Sequence, residues 1–324
     1  MSDRPVITLR DVQRAREEIA DVAHVTPLLT SEQLSKACGN TMALKCEHLQ
    51  RTGSFKIRGA TNRVKEAART GAKFVTAASS GNHGQAVAHI ARRLGLACTV
   101  VVPEDAAACK VDAILADGGK IERCGTTSAA RLPRAKALAE EMGGQVIPPY
   151  DDPFTMAGQG TIGLEILEQQ PDVEAIVVPV GGGGLISGIL AAVKESNPRV
   201  QVFGVEPELA NDTFLSLQRG AITAIPATRT IADGLRSSQP GDLTFPVMQR
   251  YLDDLVLVSE DEIRQAMRFV LERMKQLIEP SAATTVAAAM FGKLPLKAKR
   301  VVAVISGGNV DLERLAGLVG EVAG

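Results

Sequence analysis

One lysine of this chain stands in a setting that suits covalent chemistry. Lys56 lies between Phe55 and Ile57, and Arg58 adds a second cation close to it. A protonated lysine amine is a poor nucleophile, and apolar surroundings or neighbouring positive charge lower the pKa at which it loses its proton. The pattern therefore predicts an amine that forms a Schiff base with a carbonyl compound. The alternative is an ordinary surface lysine at the start of an amphipathic helix.

A run of glycines offers a binding site for the other end of such a compound. The run 181–184 separates the apolar segment 175–180, a predicted buried strand, from the segment 185–193, a predicted helix. Glycines allow bare backbone N–H groups to approach a phosphate at a helix N-terminus. A flexible linker is the alternative, and it fits poorly with apolar elements on both sides. Together with Lys56, the run predicts a phosphate-bearing aldehyde that is held at both ends.

Two further polar turns follow short apolar segments that are typical of strands. Residues 79–85 come after the predicted strand 74–78 and open a predicted helix. A strand, a polar turn and a helix start in this order favour a site for an anion or a carboxylate, although His83 alone suits a structural role equally well. The second turn, residues 306–309, follows another apolar segment near the end of the chain.

Taken in this order, the motifs resemble those of the fold type II family of pyridoxal-phosphate enzymes, and within it the serine racemase and serine/threonine dehydratase branch. The resemblance covers nearly the whole chain. It also rests on Thr26-Pro27-Leu28, Glu47-His48-Leu49-Gln50, Ala157-Gly158-Gln159-Gly160-Thr161, Ala232-Asp233-Gly234 and Ile278-Glu279-Pro280. It implies a two-domain α/β fold like that of the tryptophan synthase β subunit, with open, mostly parallel sheets that carry helices on both faces.

The same resemblance implies how the site residues act. Lys56 would bind the cofactor covalently, and Ser80, on the opposite face of the cofactor ring, would exchange the α-proton of the substrate. Asn82 would hydrogen-bond the ring hydroxyl and Ser306 the ring nitrogen, while the glycine run and the Leu185 amide would hold the phosphate. The cofactor-binding residues would be Lys56, Phe55, Asn82, Gly181, Gly182, Gly183, Gly184, Leu185, Gly234 and Ser306. The substrate-binding residues would be Ser79, Ser80, Asn82, His83 and Arg131.

Ser306 has a consequence for the reaction. A neutral hydroxyl cannot hold a proton on the ring nitrogen as a carboxylate does, so the ring is a weaker electron sink and loss of a β-substituent is favoured over transamination. The resemblance and Ser306 together predict an ammonia-lyase, or dehydratase, that converts a β-hydroxy amino acid (serine, threonine, 3-hydroxyaspartate or phenylserine) to a 2-keto acid and ammonia. Amino acid racemisation at the same site is the alternative, and a noncatalytic pyridoxal-phosphate-binding protein is a third possibility that Ser80 disfavours. Tyr150 and Ser281-Ala282-Ala283 depart from many relatives and leave the substrate open.

Two acidic residues and a carbonyl form a separate constellation. Glu206, Ala210 and Asp212 come just past the predicted strand 200–205, and they offer the hard oxygen ligands that Mg²⁺, Mn²⁺ or Ca²⁺ prefers. Acids in a loop are more often simply solvated. Their spacing here matches the divalent-metal site of serine racemase-like enzymes, and this resemblance implies a structural ion that is remote from the cofactor.

Composition favours a soluble enzyme. The 324 residues carry a formal net charge of −1 and 3% aromatic residues without Trp, which argues against a nucleic-acid partner. The uncharged stretch 175–193 is interrupted by Pro179 and the glycine run, so it is not predicted to span a membrane. The five cysteines are scattered without a CxxC pair, and residues 1–5 lack the apolar core of a secretion signal. A cytoplasmic protein with reduced thiols is therefore expected.

Predicted strands and helices alternate as in βαβ units, which need a parallel sheet covered on both faces. Two series of strands predict two sheets, with strands at 74–78, 97–102, 120–123 and 145–147, and at 175–180, 200–205, 255–258 and 300–305. Intervening helices are predicted at 82–94, 107–116, 128–141, 185–196 and 260–275. The resemblance implies a smaller mobile domain, residues 74–151, inserted in a larger cofactor-binding domain, residues 1–73 and 152–324. It places the cofactor and an amino acid substrate in the cleft between them, and it also implies a homodimer.

Overall fold

Helices and strands alternate along most of the chain. In the computed structural model, residues 6–320 are described except for residues 80, 105, 107, 126 and 127. The strands are β1 (Leu28–Thr30), β2 (Thr41–Cys46), β3 (Phe74–Ala78), β4 (Ala97–Val102), β5 (Lys120–Arg123), β6 (Gln145–Val146), β7 (Ala175–Pro179), β8 (Gln201–Pro207), β9 (Asp254–Val258) and β10 (Arg300–Ile305). The helices are α1 (Leu9–Ile19), α2 (Glu32–Cys38), α3 (Lys56–Arg69), α4 (Asn82–Arg93), α5 (Ala108–Ala116), α6 (Ser128–Glu141), α7 (Pro153–Gln169), α8 (Gly184–Ser196), α9 (Asp212–Arg219), α10 (Thr244–Tyr251), α11 (Glu260–Phe269), α12 (Pro280–Met290) and α13 (Leu312–Val319).

A six-stranded sheet forms the larger part of the protein. Its strand order is β1-β2-β10-β7-β8-β9, and neighbouring strands are parallel except for β1, which runs antiparallel to β2. Strand β7 is buried along its whole length because helices cover both faces of the sheet. Ala175 and Val177 pack with α11 and α12, whereas Ile176 and Val178 pack with α7 and α8. Such two-sided cover is what an open parallel sheet with crossover helices requires.

A separate four-stranded sheet is parallel throughout, in the order β5-β4-β3-β6. One of its faces packs on α3 and α4, through residues such as Val75 and Val100. The other face packs on α6, through Phe74 and Val101. The two predicted series of strands therefore form two separate sheets, and the α/β fold class is confirmed.

Several elements differ from the sequence prediction. Strands β1 and β2 and several helices, among them α7 and α12, were not predicted. Helices α7 and α12 are largely buried, so they lack the polar face on which recognition of an amphipathic helix depends. The helix predicted at 260–275 ends at Phe269 and continues as a π-helical turn, Val270–Met274. Lys275 then ends the turn with a left-handed φ of 58°.

Within the described ranges, no helix is both long and apolar enough to cross a bilayer. The apolar stretch 175–193 is divided between β7, the glycine run and α8. This division into strand, loop and helix is the one that the sequence predicts.

Candidate active site

The starts of four helices and the end of one strand are linked by contacts that join the two sheets. Lys56 opens α3, Asn82 opens α4, Gly184 opens α8 and Pro280 opens α12. Ser306 follows β10 directly. A helix N-terminus carries partial positive charge and free N–H groups, so these helix starts favour an anionic ligand.

The Lys56 side chain is half-buried and faces the segment that leaves the small sheet. Its Nζ donates a hydrogen bond to the Pro149 carbonyl at 2.7 Å and lies 5.0 Å from the centre of the Phe55 ring. Burial lowers the pKa of Lys56 to about 8, and the nearby Glu279 carboxylate opposes the decrease. An amine of this kind can act as a nucleophile or as a base near neutral pH.

The backbone beside Lys56 is tied to the turn that contains Ser306. The Phe55 N–H donates to the Ser306 carbonyl at 3.0 Å, and Ser54 and Gly307 form an isolated antiparallel bridge. Ser306 is buried. The Ser54 hydroxyl is also buried, and it has no hydrogen-bond partner in the described part of the chain. The lysine and the polar turn after β10 are therefore fixed relative to one another.

Four buried charged residues anchor the first turn of α3. Lys45, Glu47, Arg58 and Glu165, which we call the ion cluster, are at most 4% exposed. Arg58 contacts Glu47 at 2.8 Å and Glu165 at 2.6 Å, and Lys45 contacts Glu165 at 2.6 Å. Burial alone would lower the pKa of Arg58, but the two carboxylates raise it above its usual range. Arg58 lies two residues after Lys56, and the cluster joins α3 to β2 and α7, so it fixes the helix that carries the lysine.

The glycine run makes a tight turn from β7 into α8. Gly183 has a φ of 90°, in the left-handed region that side chains disfavour. A Cβ added to Gly182 would lie 2.5 Å from Cδ1 of Tyr150, so only glycine fits beneath that ring. The Thr244 hydroxyl donates to the Gly182 carbonyl at 2.7 Å and holds the turn in place. Because the first N–H groups of α8 have no acceptor inside the helix, they can bind phosphate oxygens.

The segment that leaves the small sheet contacts both halves of the candidate site. The Pro149 carbonyl accepts a hydrogen bond from Lys56, and the Tyr150 ring lies against Gly182. Asp151 accepts hydrogen bonds from two backbone N–H groups just before α10, at 2.8 and 3.1 Å. This segment therefore connects the lysine with the glycine turn.

An amide and a carboxylate meet where α4 and α12 begin. Nδ2 of Asn82 lies 3.0 Å from each carboxylate oxygen of Glu279, and Nδ2 of Asn309 donates to Oδ1 of Asn82 at 2.9 Å. Burial and, to a smaller extent, the Asp233 charge raise the pKa of Glu279 to about 7. Glu279 is a site residue that was not predicted, although it lies in the motif Ile278-Glu279-Pro280.

His83 is buried one residue further along α4. Its Nε2 lies 2.8 Å from the Ile147 carbonyl, so Nε2 carries the proton of the neutral ring. Nδ1 has no hydrogen-bond partner among the residues that the structure describes. Burial lowers the pKa of His83 to about 3, and the charge of Lys56 acts in the same direction. The imidazole is therefore neutral at physiological pH and has an unused acceptor.

The other predicted site residues lie after β3, beside α12 and at the start of α6. Ser79 follows β3, and its hydroxyl accepts a hydrogen bond from the backbone N–H two residues later at 3.3 Å. The Gly234 N–H donates to the Ser281 hydroxyl at 3.0 Å. Arg131 is half-buried near the start of α6. Ser80 lies outside the described residues, so its role stays a prediction.

The acidic constellation lies where β8 ends and α9 begins. The buried Glu206 carboxylate accepts from two backbone N–H groups of α9 at 3.0 and 2.9 Å, and the buried Asp212 carboxylate accepts from the Ser237 hydroxyl at 3.2 Å. Burial raises the pKa of both carboxyls, and the charge of Asp212 raises that of Glu206 further. In the described part of the chain, no three His, Cys, Asp or Glu side chains are grouped to hold a metal ion. A cation here would therefore depend on two carboxylates and the Ala210 carbonyl.

The geometry around Lys56 fits a pyridoxal phosphate. The amine has a lowered pKa, and the glycine turn leads into α8, whose first N–H groups suit a phosphate. Ser54 Oγ and His83 Nδ1, which have no hydrogen-bond partner among the described residues, and the buried Ser306 add polar groups near the lysine. A phosphate, an aldehyde and an aromatic ring with polar substituents would each find a matching group here.

Known proteins resemble this chain both in sequence and in structure. Residues 19–307 match the family of pyridoxal-phosphate dependent enzymes. Serine racemase of Dictyostelium discoideum is 43% identical over 98% of this chain and 99% of its own length, and L-threonine ammonia-lyase of Thermotoga maritima is 43% identical over 96% of this chain and 77% of its own. The solved structure of maize serine racemase has a TM-score of 0.93 and 37% identity over 96% of each chain. This chain belongs to the family of pyridoxal-phosphate-dependent enzymes.

Proposed function

We propose that this protein is an ammonia-lyase that converts a β-hydroxy amino acid such as serine, threonine, 3-hydroxyaspartate or phenylserine to a 2-keto acid and ammonia. The observation that carries the proposal is the Lys56 amine, whose pKa burial lowers to about 8, together with a neutral Ser306 hydroxyl after β10. Racemisation of an amino acid at the same site is the second candidate. It is favoured by the similarity to a serine racemase along nearly the whole chain.

The glycine turn and the Leu185 amide would hold the cofactor phosphate, because the free N–H groups at the start of α8 suit an anion. Asn82 would donate to the ring hydroxyl, and Ser306 would meet the ring nitrogen. Phe55 and Gly234 would line the ring. When bound, pyridoxal phosphate supplies an electron sink for the α-carbon of the substrate. A hydroxyl at the ring nitrogen weakens this sink, which favours departure of a β-hydroxyl over transamination.

Lys56 would accept the α-proton of an L-amino acid. Because burial lowers the pKa of Lys56 to about 8, a useful fraction of the amine is unprotonated near neutral pH. The Pro149 carbonyl, 2.7 Å from Nζ, orients the amine. The lysine therefore combines the roles of covalent anchor and base.

The substrate carboxylate would bind at the start of α4. Ser79, Ser80, Asn82 and His83 belong to this turn, where the helix N-terminus supplies positive potential. The neutral His83 ring adds no charge of its own. We propose Arg131 as a further carboxylate partner on the basis of the family resemblance.

The product ratio tests the choice between lyase and racemase. Serine incubated with the holoenzyme in deuterated buffer should yield mainly pyruvate and ammonia, because a short-lived carbanion loses its β-hydroxyl before it is reprotonated. Ser80→Ala should reduce racemisation and turnover of D-serine by about 10²- to 10⁴-fold, the typical contribution of a positioned acid or base. Elimination from L-serine should fall much less. Chiral chromatography and a keto-acid assay measure both reactions.

The neighbouring serine provides the control for this test. Ser79→Ala should weaken substrate binding for both reactions to the same extent, so the ratio of D-serine to pyruvate should stay as in the unmodified enzyme. Mainly deuterated D-serine with little pyruvate would instead establish the racemase.

We further propose that Glu206, the Ala210 carbonyl and Asp212 bind a divalent cation, with Mg²⁺ first and Mn²⁺ or Ca²⁺ as alternatives. The support is the burial of two carboxylates with raised pKa values, to which no cationic side chain in the described residues contributes. A hard cation with oxygen ligands would offset this charge. The ion would stabilise the loop between β8 and α9 and take no part in the chemistry.

Chelation should lower the melting temperature of the protein, and added Mg²⁺ or Mn²⁺ should restore it. Asp212→Ala should remove this response, because one of the two carboxylates is lost. Glu208→Gln, which changes an exposed acid in the same loop, should respond as the unmodified protein does. Melting curves with and without chelator measure the effect. Curves that coincide in all three proteins would exclude the cation site.

We propose that residues 74–151 act as the smaller, mobile domain and that the enzyme is a homodimer in the cytoplasm. The small sheet, all of whose strands come from within these residues, supports the first point. The free thiols of Cys38, Cys46, Cys98 and Cys124 support a reducing compartment. Sedimentation of the holoenzyme would measure the oligomeric state.

A further inference from the structure

Thr244 is a fully buried threonine beside the glycine run, and no step of the proposed chemistry needs it. It opens α10, and its Oγ1 donates to the Gly182 carbonyl at 2.7 Å and accepts from the Gly241 N–H at 3.0 Å. The Gly241 carbonyl lies farther from Oγ1, at 3.3 Å, so the single hydroxyl proton goes to Gly182. The hydroxyl therefore joins the start of α10 to the glycine run.

The peptide group between Gly182 and Gly183 takes its orientation from this hydrogen bond. A trans peptide carries its C=O and its N–H on opposite sides, and no peptide bond within the described ranges is cis. Since the Gly182 carbonyl points to Thr244, the Gly183 N–H points away from α10. The Gly241 N–H, which lies 3.3 Å from the same carbonyl, favours the same orientation.

A peptide between two glycines can lose such an orientation easily. Glycine lacks the Cβ that restricts φ and ψ, so this peptide can rotate at little steric cost. A rotated peptide would present the Gly182 carbonyl, and not the Gly183 N–H, on the side away from α10. An N–H group binds a phosphate oxygen, whereas a carbonyl oxygen repels it. The hydrogen bond from Thr244 therefore keeps a donor on that side of the turn.

Thr244 is itself held by the segment that leaves the small sheet. The Asp151 carboxylate accepts from the backbone N–H groups of Asp242, Leu243 and Thr244 at 3.1, 2.8 and 3.3 Å. Leu243, the N-cap residue of α10, offers no side-chain acceptor, so Asp151 takes over the capping of this helix. A Cβ on Gly241 would collide with the carboxylate, so glycine permits its approach. The start of α10 is therefore fixed from outside the helix.

We propose that Thr244 is a positioning residue that keeps the Gly183 N–H directed at the phosphate of the cofactor. The inference rests on the proposed placement of that phosphate at the glycine turn. Loss of the hydroxyl lets the peptide between Gly182 and Gly183 rotate, so the phosphate loses a donor and meets a carbonyl oxygen instead. The aldehyde end of the cofactor, at Lys56, has no direct contact with Thr244. Thr244 therefore contributes to cofactor affinity through the phosphate alone.

The test compares pyridoxal phosphate with pyridoxal, which lacks the phosphate. Both are titrated into protein from which the cofactor of the holoenzyme has been removed, and absorbance measures their dissociation constants. Thr244→Val should weaken binding of pyridoxal phosphate by about 10- to 100-fold, the effect of one hydrogen bond to a charged group. Its affinity for pyridoxal should stay unchanged. Thr244→Ser keeps the hydroxyl and should bind both compounds as the unmodified protein does.

A second buried threonine provides the matched control. The Thr285 hydroxyl lies 3.2 Å from the Ala282 carbonyl inside α12, and Thr285→Val removes a buried hydroxyl of the same kind. This variant should bind both compounds as the unmodified protein does, even where its melting temperature falls. The control therefore separates loss of stability from loss of the phosphate contact.

An equal loss of affinity for both compounds in Thr244→Val, or a loss of the same size in Thr244→Ser, would overturn the proposal. If Thr244→Val does not fold, the smaller variant Thr244→Ala decides by the same comparison. If the unmodified protein binds pyridoxal as tightly as pyridoxal phosphate, the placement of the phosphate at the glycine turn fails as well. A preference for the phosphate that survives without the Thr244 hydroxyl would overturn this inference alone.

Discussion

Replacement of Lys56 by alanine should abolish both the covalent attachment of the cofactor and turnover. The variant loses the nucleophile and the base together, so the loss of activity should exceed the roughly 10²- to 10⁴-fold that a positioned base alone contributes. The visible spectrum of the purified protein measures the first effect, and a keto-acid assay measures the second. Cofactor held by the glycine turn can remain bound noncovalently, so retained cofactor phosphate agrees with this expectation.

A second lysine on the same helix provides the control. Lys65 pairs with Asp21 at 2.6 Å, and Lys65→Ala should keep both the visible band and the activity. Borohydride reduction of the unmodified holoenzyme, followed by peptide mapping, should label Lys56. A label on another lysine would refute the assignment. Lys45 is a poor candidate, because its amine is buried against Glu165 and the Thr26 carbonyl.

Arg58→Met should be among the most destabilising substitutions in the protein. It removes a cation that is 1% exposed and leaves the Glu47 and Glu165 carboxylates buried without their main partner. Breaking a buried ion pair from one side costs about 3–5 kcal/mol in the free energy of unfolding. Urea denaturation followed by circular dichroism measures this loss, and the destabilised start of α3 should also weaken cofactor binding through Lys56.

A matched control for Arg58→Met is a variant of an exposed arginine that pairs with the same helix, α7. Comparing the two variants separates the effect of burial on stability from the effect of losing a charge. Arg16 contacts Glu168, and their side chains are 44% and 56% exposed. Arg16→Met should cost only about 0–1 kcal/mol, because water and salt screen exposed pairs. Equal losses in the two variants would show that the ion cluster does not anchor α3. Partial recovery of the Arg58→Met variant by adding Glu165→Gln would support the unpaired-charge explanation.

Local patterns were enough to predict strands β3 to β10 and their division between two sheets, but not β1 and β2. Strands β3, β4, β7 and β10 are short apolar runs between turn residues, and their burial follows directly from that composition. Strand β1 was not predicted because it is only three residues long and partly exposed. Helix α12 was not predicted because Ala and Thr occupy all of its sides. It therefore has no polar face that would show the helical period of the sequence.

Some site residues could be predicted from their neighbours in the sequence, and others could not. Lys56 and the glycine run have unusual sequence neighbours that indicate their roles. The roles of Glu279 and the ion cluster could not be predicted, because their partners are distant in the sequence: Asn82 lies 197 residues from Glu279, and Glu165 lies 107 residues from Arg58. Spacing along the chain carries no signal for such pairs, and only the fold brings them together.

The different origins of the two sheets also bear on how the chain folds while it is being synthesised. The strands of the small sheet, β3 to β6, come from one continuous stretch of the chain. In the large sheet, β2 can pair with β10 only after β10 has been synthesised. Asn40 and Lys299, which lie beside this pair, are 259 residues apart. Pairing over such a separation forms late, because a long loop must close first. The small sheet can therefore assemble on the ribosome ahead of the large one. Lys56, whose neighbour Phe55 is held by the Ser306 carbonyl, reaches its working position only after the last strand has emerged.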